Sequence, residues 1–227
     1  MALTFSTTAQ QAQQNGVKCL VYGRAGVGKT VLAATAPTPI IFSAEAGLLS
    51  LRHTEIPVAV IKNIDDLQEA FKWATESHEA KGFETICLDS ISEIAEVVLA
   101  NAKATAKDPR QAYGELADRM QHTIRSFRDI QGKNVYMTAK MVMNKDDNTG
   151  IQSYGPSMPG RTLTQGISYF FDEVFNINVN KDQEGNEFRY LRTRPDFQYE
   201  AKDRSGALVE FEPADLTAIF NKIKLGN

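Results

Sequence analysis

The sequence has few cysteines and no long apolar run. Only two of its 227 residues are cysteine, and Cys19 and Cys87 each lie inside a short apolar stretch, which predicts buried, reduced thiols. The amino terminus lacks the basic segment and apolar stretch of a signal peptide, and no later run has the length that a membrane span needs. We therefore expect a soluble protein of the cytoplasm with no membrane partner.

An excess of positive charge is also missing. The chain carries 25 Lys and Arg against 28 Asp and Glu, which gives a formal net charge of −3. This balance excludes a protein coated with basic surface, so contact with nucleic acid must come from local patches or loops. A chain of this length can cover a central sheet on both faces, and it suits one α/β domain rather than two.

Apolar runs alternate with helical patterns along most of the chain. The runs that predict strands are VKCLVYG (17–23), PIIFSAE (39–45), PVAVIK (57–62), ETICLDS (84–90) and NVYMTAK (134–140). Strands that alternate with helices predict an α/β fold with a mainly parallel central sheet flanked by helices. Nearer the carboxyl terminus, EVFNINV and FRYLRT flank the turn DQEGNE, which predicts an antiparallel hairpin added to the sheet.

A glycine-rich motif follows the first predicted strand. The segment GRAGVGKT fits G-x-x-x-x-G-K-S/T between a predicted strand and a predicted helix, the context that a P-loop requires. Successive backbone N–H groups of a P-loop face the β-phosphate, its lysine neutralises the β/γ oxygens and its hydroxyl binds Mg²⁺. The expected nucleotide-binding residues are Gly23, Arg24, Ala25, Gly26, Val27, Gly28, Lys29 and Thr30. A glycine turn that matches by chance is the alternative interpretation.

Two carboxylates at strand ends complete the predicted chemistry. Asp89 ends an apolar strand, the position from which a carboxylate holds a water on Mg²⁺, although it also suits a cap of the following helix. Ser90 rather than a glutamate follows, so the base for an attacking water must come from another strand. Glu45 would project from the carboxyl edge of the sheet, where ligands of open α/β sheets bind. An exposed strand-end glutamate is the alternative.

The order of these motifs resembles the RecA-like core of P-loop ATPases. It is similar above all to the short phage single-strand annealing recombinases of the Sak group. In that family IIFSAEAG would supply the catalytic glutamate Glu45, MTAK a polar sensor at Lys140, and Lys202-Asp203-Arg204 an element that reaches a neighbour's ATP. Lys140 stands where RecA itself has a glutamine. The resemblance implies ATP and Mg²⁺ as cofactors, and catalytic roles for Lys29, Lys140, Lys202 and Arg204 besides Glu45.

The same resemblance implies partners. The chain would form a ring or a filament with ATP at its subunit interfaces, bind single-stranded DNA, and work with a single-strand-binding protein. The family's two DNA-binding loops would fall at 102–114 and 141–166, which the sequence predicts to be long and irregular. Cations for phosphates and rings for bases in these loops are Lys103, Lys107, Arg110, Tyr113, Lys145, Tyr154 and Arg161. Asp146 and Asp147 depart from this pattern, and ordinary solvated charges are the alternative for each residue.

The first sixteen residues are predicted to be separate from the ATPase domain at 17–227. Leu3 and Phe5 alternate as an added strand would, which suggests a segment that docks on a neighbouring subunit. Phe5 and Ala9 lie one residue too far apart for the family's docking motif, and a disordered terminus is the alternative.

Two other functions stay open at this point. A small-molecule kinase would need a phosphate-clamping lid, for which Arg189, Arg192 and Arg194 are candidates. These three arginines lie in the predicted hairpin, where the polar side of a strand pair explains them equally. The other function is that of a nucleotide-switched binding protein with little turnover, and the presence of Glu45 argues against it.

Overall fold

The computed structural model describes residues 5–7, 15–45, 48–106, 108–145 and 150–226. The strands in these ranges are β1 (Lys18–Gly23), β2 (Pro39–Ser43), β3 (Val58–Val60), β4 (Thr85–Asp89), β5 (Asn134–Lys145), β6 (Gln152–Ser157), β7 (Glu173–Lys181), β8 (Glu187–Arg192), β9 (Lys202–Asp203) and β10 (Phe211–Pro213). The α-helices are α1 (Lys29–Ala33), α2 (Ile64–Glu76), α3 (Ile91–Thr105), α4 (Pro109–Arg128), α5 (Arg161–Gly166) and α6 (Leu216–Leu225). Short 3₁₀ segments cover Leu48–Leu51, Glu79–Gly82 and Ile167–Phe170.

All of these strands belong to one sheet. Its order is β10-β8-β7-β1-β5-β4-β2-β3, with β6 paired to β5 and β9 paired to β7. The centre is parallel, since β1 pairs in parallel with β5 and β7, and β4 pairs in parallel with β5 and β2. β8 and β10 extend the sheet in antiparallel fashion. The predicted fold class, a mainly parallel α/β sheet with an antiparallel carboxyl-terminal hairpin, is confirmed.

Helices cover the sheet on both faces and bury alternate residues of the central strand. On one face Leu20 and Tyr22 join an apolar cluster with residues of α2, α3 and α4. On the other face Cys19 and Val21 join a cluster with residues of α1 and α6. Cys19 and Cys87 are free and fully buried, as predicted, and burial raises the pKa of both thiols. None of the helices within the described ranges is long and apolar enough to cross a membrane.

The parallel register brings the predicted site residues to one edge. Gly23 at the end of β1 pairs with Lys140 of β5, and Ser43 at the end of β2 pairs with Asp89 of β4. Since neighbouring parallel strands all end in the same direction, the loops that follow them meet at one edge of the sheet. The P-loop, Glu45, Asp89 and Lys140 therefore share that edge.

The prediction of an irregular loop at 102–114 is wrong. Helix α3 continues to Thr105, and α4 begins at Pro109 after a break of only three residues. Alanine-rich sequence favours the extension of α3. Asp108 caps α4, because its side chain accepts a hydrogen bond from the Arg110 N–H at 2.8 Å, and a proline in the first helical turn needs no backbone donor.

The prediction of an irregular stretch at 141–166 is also wrong. Strand β5 runs on to Lys145, and β6 returns beside it in antiparallel register from Lys140↔Ser157 to Lys145↔Gln152. Gly155 and Pro156, which suggested a loop, lie within β6. Pairing with β5 satisfies the backbone hydrogen bonds of β6, so this segment stays extended although its glycine and proline do not favour a strand.

Strand β9 places two carboxyl groups side by side. Glu173 is 1% exposed and pairs across the strands with Asp203. The Asp203 carboxylate already accepts hydrogen bonds from the N–H groups of Gly206 and Leu208, whereas Oε2 of Glu173 has no donor among the described residues. Burial, followed by the Asp203 charge, raises the pKa of Glu173 to about 8. A proton on Glu173 satisfies the buried oxygen by donating to Asp203.

We expect Glu173 to make the folded state less stable as the pH rises from about 5 to 8, because the folded protein keeps this proton and the unfolded chain releases it. Glu173→Gln, whose amide donates to Asp203 at every pH, should remove this decline. Urea denaturation measures the free energy of unfolding of both proteins. The difference between variant and wild type should increase in favour of the variant by on the order of 2 kcal/mol from pH 5 to 8. For the control Glu187→Gln, at an exposed position, the difference in free energy of unfolding from wild type should not change with pH. A gain for Glu173→Gln that does not change with pH would contradict a protonated Glu173.

Candidate nucleotide site

The turn between β1 and α1 has the backbone shape that its glycines permit. Gly26 and Gly28 have φ values of 75° and 109°, in the left-handed region, where a residue with a side chain is strained. A Cβ added to Gly23 would lie 2.8 Å from the Ile177 side chain. Gly26 and Gly28 are therefore required by their backbone angles, and Gly23 by the close approach of β1 to β7.

Lys29 lies inside this turn. Its ammonium group donates to the carbonyl oxygens of Gly23 and Arg24 at 3.0 and 3.1 Å. Burial lowers the pKa of Lys29, whereas the charges of Glu45 and Asp89 raise it. The position of its charge, between the loop carbonyls and two carboxylates, suits the neutralisation of phosphate oxygens.

Asp89 and Thr30 form the oxygen-rich side of the site. Asp89 is 1% exposed; its Oδ2 accepts from the Thr30 hydroxyl at 2.7 Å, and its Oδ1 accepts from the Thr138 hydroxyl. A hydroxyl and a carboxylate are donors that Mg²⁺ prefers, and this ion commonly takes few protein ligands together with phosphate oxygens. No group of three or more His, Cys, Asp or Glu in the described ranges could hold a metal. The residues present fit Mg²⁺ bound together with a nucleotide.

A cavity of about 830 Å³ opens over the P-loop, within the size range of small-molecule sites. Besides the P-loop, its lining includes Glu45, Glu93, Lys140 and Arg189. Glu45 and Lys140, which the sequence assigned to catalysis from separate strands, thus face one space.

Glu93 was missed by the sequence analysis. It lies in the first turn of α3 and accepts from the Lys140 ammonium at 2.6 Å, and this hydrogen bond raises the pKa of Lys140. Next to it, the Ser92 hydroxyl donates to the Ser157 carbonyl at 2.6 Å and accepts from the Lys140 N–H at 2.9 Å. The only signal in the sequence is the position of Glu93, one helical turn beyond Asp89.

Arg189, which the sequence analysis considered only as part of a kinase lid, also lines this cavity. Its Nε donates to the Val27 carbonyl at 2.9 Å. Arg192 instead pairs with Asp196 and Glu210 at 3.0 and 3.1 Å, and Arg194 donates to the backbone. Since only Arg189 of these three lines the cavity, they do not form the lid that a small-molecule kinase would need.

A family model described as an AAA domain matches residues 15–205. The chain belongs to the AAA domain family. AAA domains are P-loop ATPases, so membership of the family implies that the chain binds a nucleotide. A search of curated protein sequences gave no match.

Three solved structures are distantly similar to this AAA domain. A KaiC-like protein from the hyperthermophilic archaeon Pyrococcus horikoshii has a TM-score of 0.47 and 14% identity, covering 88% of this chain and 85% of its own. The RadB recombinase has a TM-score of 0.47 and 11% identity, with coverage of 82% and 94%. The flagellar accessory protein FlaH from Methanocaldococcus jannaschii has a TM-score of 0.41 and 12% identity, with coverage of 79% and 78%.

Lys202 and Arg204 lie away from the cavity of their own AAA domain. Lys202 donates to the Ser168 carbonyl at 3.0 Å, and Arg204 pairs with Asp172 at 2.9 Å. Lys202 pairs with Val174 of β7, which in turn pairs with Leu20 of β1. Leu20 precedes the P-loop by three residues of strand, or about 10 Å. The role predicted for this pair in a neighbour's site stays a prediction.

Residues from both predicted DNA loops meet at one surface of the AAA domain. The Lys103 ammonium lies 5.4 Å from the centre of the Tyr113 ring. Gly160 packs on the same ring, since a Cβ built on it would lie 3.3 Å from a ring carbon. The next residue, Arg161, is exposed and therefore lies near Tyr113. Arg110, one helical turn before Tyr113, is exposed as well. Lys103, Arg110, Tyr113 and Arg161 are called the basic patch below.

The other predicted contacts lie elsewhere. Lys145 is exposed at the end of β5, and Tyr154 stacks on Tyr199 with ring centres 5.1 Å apart. Lys107, Asp146 and Asp147 lie outside the described residues. So do Leu3 and Ala9, while Phe5 is 90% exposed, and the predicted docking role of the amino-terminal segment stays a prediction.

We expect Lys29→Ala to lower ATP affinity by on the order of 100-fold, because a charge-assisted contact to the phosphates is lost. Isothermal titration calorimetry measures this directly. Lys72→Ala, which removes an exposed lysine from α2, serves as the control and should bind ATP like the wild type. Unchanged affinity in Lys29→Ala would show that the phosphates bind elsewhere.

Proposed function

We propose that this AAA domain is a Mg²⁺-dependent ATPase of the RecA-like recombinase type, which anneals or exchanges single-stranded DNA. Its nearest relatives in function would be the phage recombinases of the Sak group. The observation that carries the ATPase part is that the P-loop and Glu45 line one cavity, with Asp89 bonded to Thr30 at its edge. The DNA part is supported by the basic patch and by the resemblance of the motif order to that group.

Each residue of the site has a defined task in this proposal. The P-loop backbone and Lys29 bind and neutralise the phosphates. Thr30 and Asp89 hold Mg²⁺, which supplies further charge neutralisation when bound. Thr138 keeps the Asp89 carboxylate in place through its hydroxyl. Glu45 orients the attacking water and accepts its proton, and Lys140 contacts the terminal phosphate.

Glu45→Gln should bind ATP with wild-type affinity but lose turnover by about 100-fold or more, because the amide keeps the size of the side chain without its basicity. Steady-state phosphate release and calorimetry together separate the two effects. Glu69→Gln, an exposed position on α2, is the matched control and should turn over normally. Wild-type turnover in Glu45→Gln would assign the base to another residue.

The basic patch offers both kinds of contact that single-stranded DNA needs. Lys103, Arg110 and Arg161 provide exposed cations for phosphates. Tyr113 is 42% exposed, so part of its ring is open to stacking with a base. Its contacts with Lys103 and Gly160 hold the ring in place. A local patch of this kind is compatible with the net negative charge of the chain.

Replacing Lys103 and Arg161 together by glutamine should weaken binding of single-stranded DNA for all sequences alike. The slope of log affinity against log salt concentration should fall by about 1 to 1.5, since two phosphate contacts are lost. Fluorescence anisotropy with oligonucleotides over a salt series measures both effects. The control Lys72→Gln with Lys81→Gln removes the same charge from exposed positions elsewhere. Equal slopes for wild type and the Lys103/Arg161 variant would exclude the basic patch.

Oligomerisation belongs to the same proposal. ATP would lie between subunits of a ring or filament, with Lys202 and Arg204 of one subunit reaching the phosphates of the next. Both cations would then exchange their present partners, Ser168 and Asp172, for the nucleotide. A single-strand-binding protein is the further partner we propose.

One experiment tests the proposed function as a whole. ATP turnover of the purified chain is measured with and without single-stranded DNA, and both samples are imaged by electron microscopy. We expect turnover that DNA stimulates, together with rings or filaments. Turnover that responds only to a small-molecule phosphate acceptor would overturn the proposal in favour of a kinase.

A further inference from the structure

Arg189 reaches the P-loop from a distant part of the chain. It is a residue of β8, and its Nε donates to the Val27 carbonyl across 162 positions of sequence at 2.9 Å. The side chain also packs on the next residue, because a Cβ built on Gly28 would lie 2.5 Å from Nε and 2.9 Å from Cδ of Arg189. The arginine therefore lies directly against the backbone turn that would bind phosphates.

The backbone of Arg189 is held on both sides. It pairs with Val179 of β7, and its carbonyl accepts from the Ala214 N–H at 3.3 Å. Leu191, two residues on and on the same face of β8, is fully buried in the cluster that contains Leu32 of α1. The same face of β8 thus packs on the P-loop helix and carries Arg189 to the loop.

No carboxylate in the part of the chain that the structure describes forms an ion pair with Arg189. Within the described ranges, Arg119, Arg128, Arg192 and Arg204 each form an ion pair with an acidic residue, and Arg189 forms none. Its cavity is lined by four cationic side chains, Arg24, Lys29, Lys140 and Arg189, against two carboxylates, Glu45 and Glu93. An excess of cations around a cavity favours an anionic ligand.

We propose that Arg189 binds nucleotide phosphates within its own subunit while it holds the P-loop at Val27. The inference rests on the proposed ATPase function and deepens it. Nε is occupied by the Val27 carbonyl, so the two terminal nitrogens of the planar guanidinium are the groups that contact phosphate oxygens. Such a fork matches two oxygens of a phosphate. Unlike Lys202 and Arg204, Arg189 acts without a second subunit.

Three substitutions in the full chain distinguish the effect of the Arg189 charge on phosphate binding from the effect of its hydrogen bond on the position of the P-loop. Arg189→Gln keeps a donor for the Val27 carbonyl but loses the charge, whereas Arg189→Lys keeps the charge. Lys181→Gln makes the same change of net charge at an exposed position of the same hairpin. Calorimetry with Mg²⁺-ATP and Mg²⁺-ADP over a salt series gives the affinities, and melting temperatures report folding.

Arg189→Gln should bind both nucleotides at least about tenfold more weakly and with a shallower salt dependence. Arg189→Lys should retain most of the salt dependence, and Lys181→Gln should behave like the wild type. Wild-type affinity and salt dependence in Arg189→Gln would overturn the inference. Equal weakening in Gln and Lys variants, with an unchanged salt slope, would also overturn it, because Arg189 would then only hold the loop.

The same titrations distinguish this inference from the proposed function. If Lys29→Ala weakens nucleotide binding as expected and Arg189→Gln leaves it intact, only the role of Arg189 is overturned. A wild-type chain that binds neither nucleotide overturns the proposed ATPase function and the role of Arg189 with it.

Discussion

The parallel pairing of β1 with β5, and of β4 with β2, is the constraint on which the site depends. It aligns Gly23 with Lys140 and Asp89 with Ser43, so that the segments after β1, β2 and β4 leave the sheet at one edge, beside Lys140. β1, β2 and β4 are buried on both faces, as is β5 before Lys140. Polar side chains can therefore meet a ligand only at the carboxyl ends of these buried segments. The cavity over the P-loop is a direct result of this register.

Hydrogen bonds among two strands and one helix fix the positions of the side chains at this edge. Asp89 joins the P-loop helix to β5 through Thr30 and Thr138. The Tyr136 hydroxyl donates to the Lys29 carbonyl at 2.7 Å, which adds a second link between β5 and α1. A buried carboxylate with its oxygens satisfied keeps one orientation. The orientation of the Asp89 carboxylate is therefore set by two hydroxyl groups, one from the P-loop and one from β5.

The sequence predicted what local signals encode, and it failed where partners are distant. The P-loop, the strand ending in Asp89 and the alternation of strands and helices are all visible in short windows. Glu93 and Arg189 are not, because their roles depend on Lys140 and Val27 far along the chain. The two supposed loops failed for another reason. Glycines and prolines at 155–160 suggested irregular backbone, but pairing with β5 kept 152–157 extended, and the cap at Asp108 restored a helix.

The Ser92 hydroxyl links two parts of the molecule that the proposed function assigns to different ligands. It bonds to the Ser157 carbonyl and the Lys140 N–H at the same time, and it belongs to α3, which begins at Ile91. The Ser92 side chain thus joins three elements. They are α3, which contains Ser92, β5, which contains Lys140, and β6, which leads to Gly160 and the basic patch. Because this one hydroxyl bonds to both strands, a short path of hydrogen bonds and backbone connects the cavity over the P-loop with the basic patch.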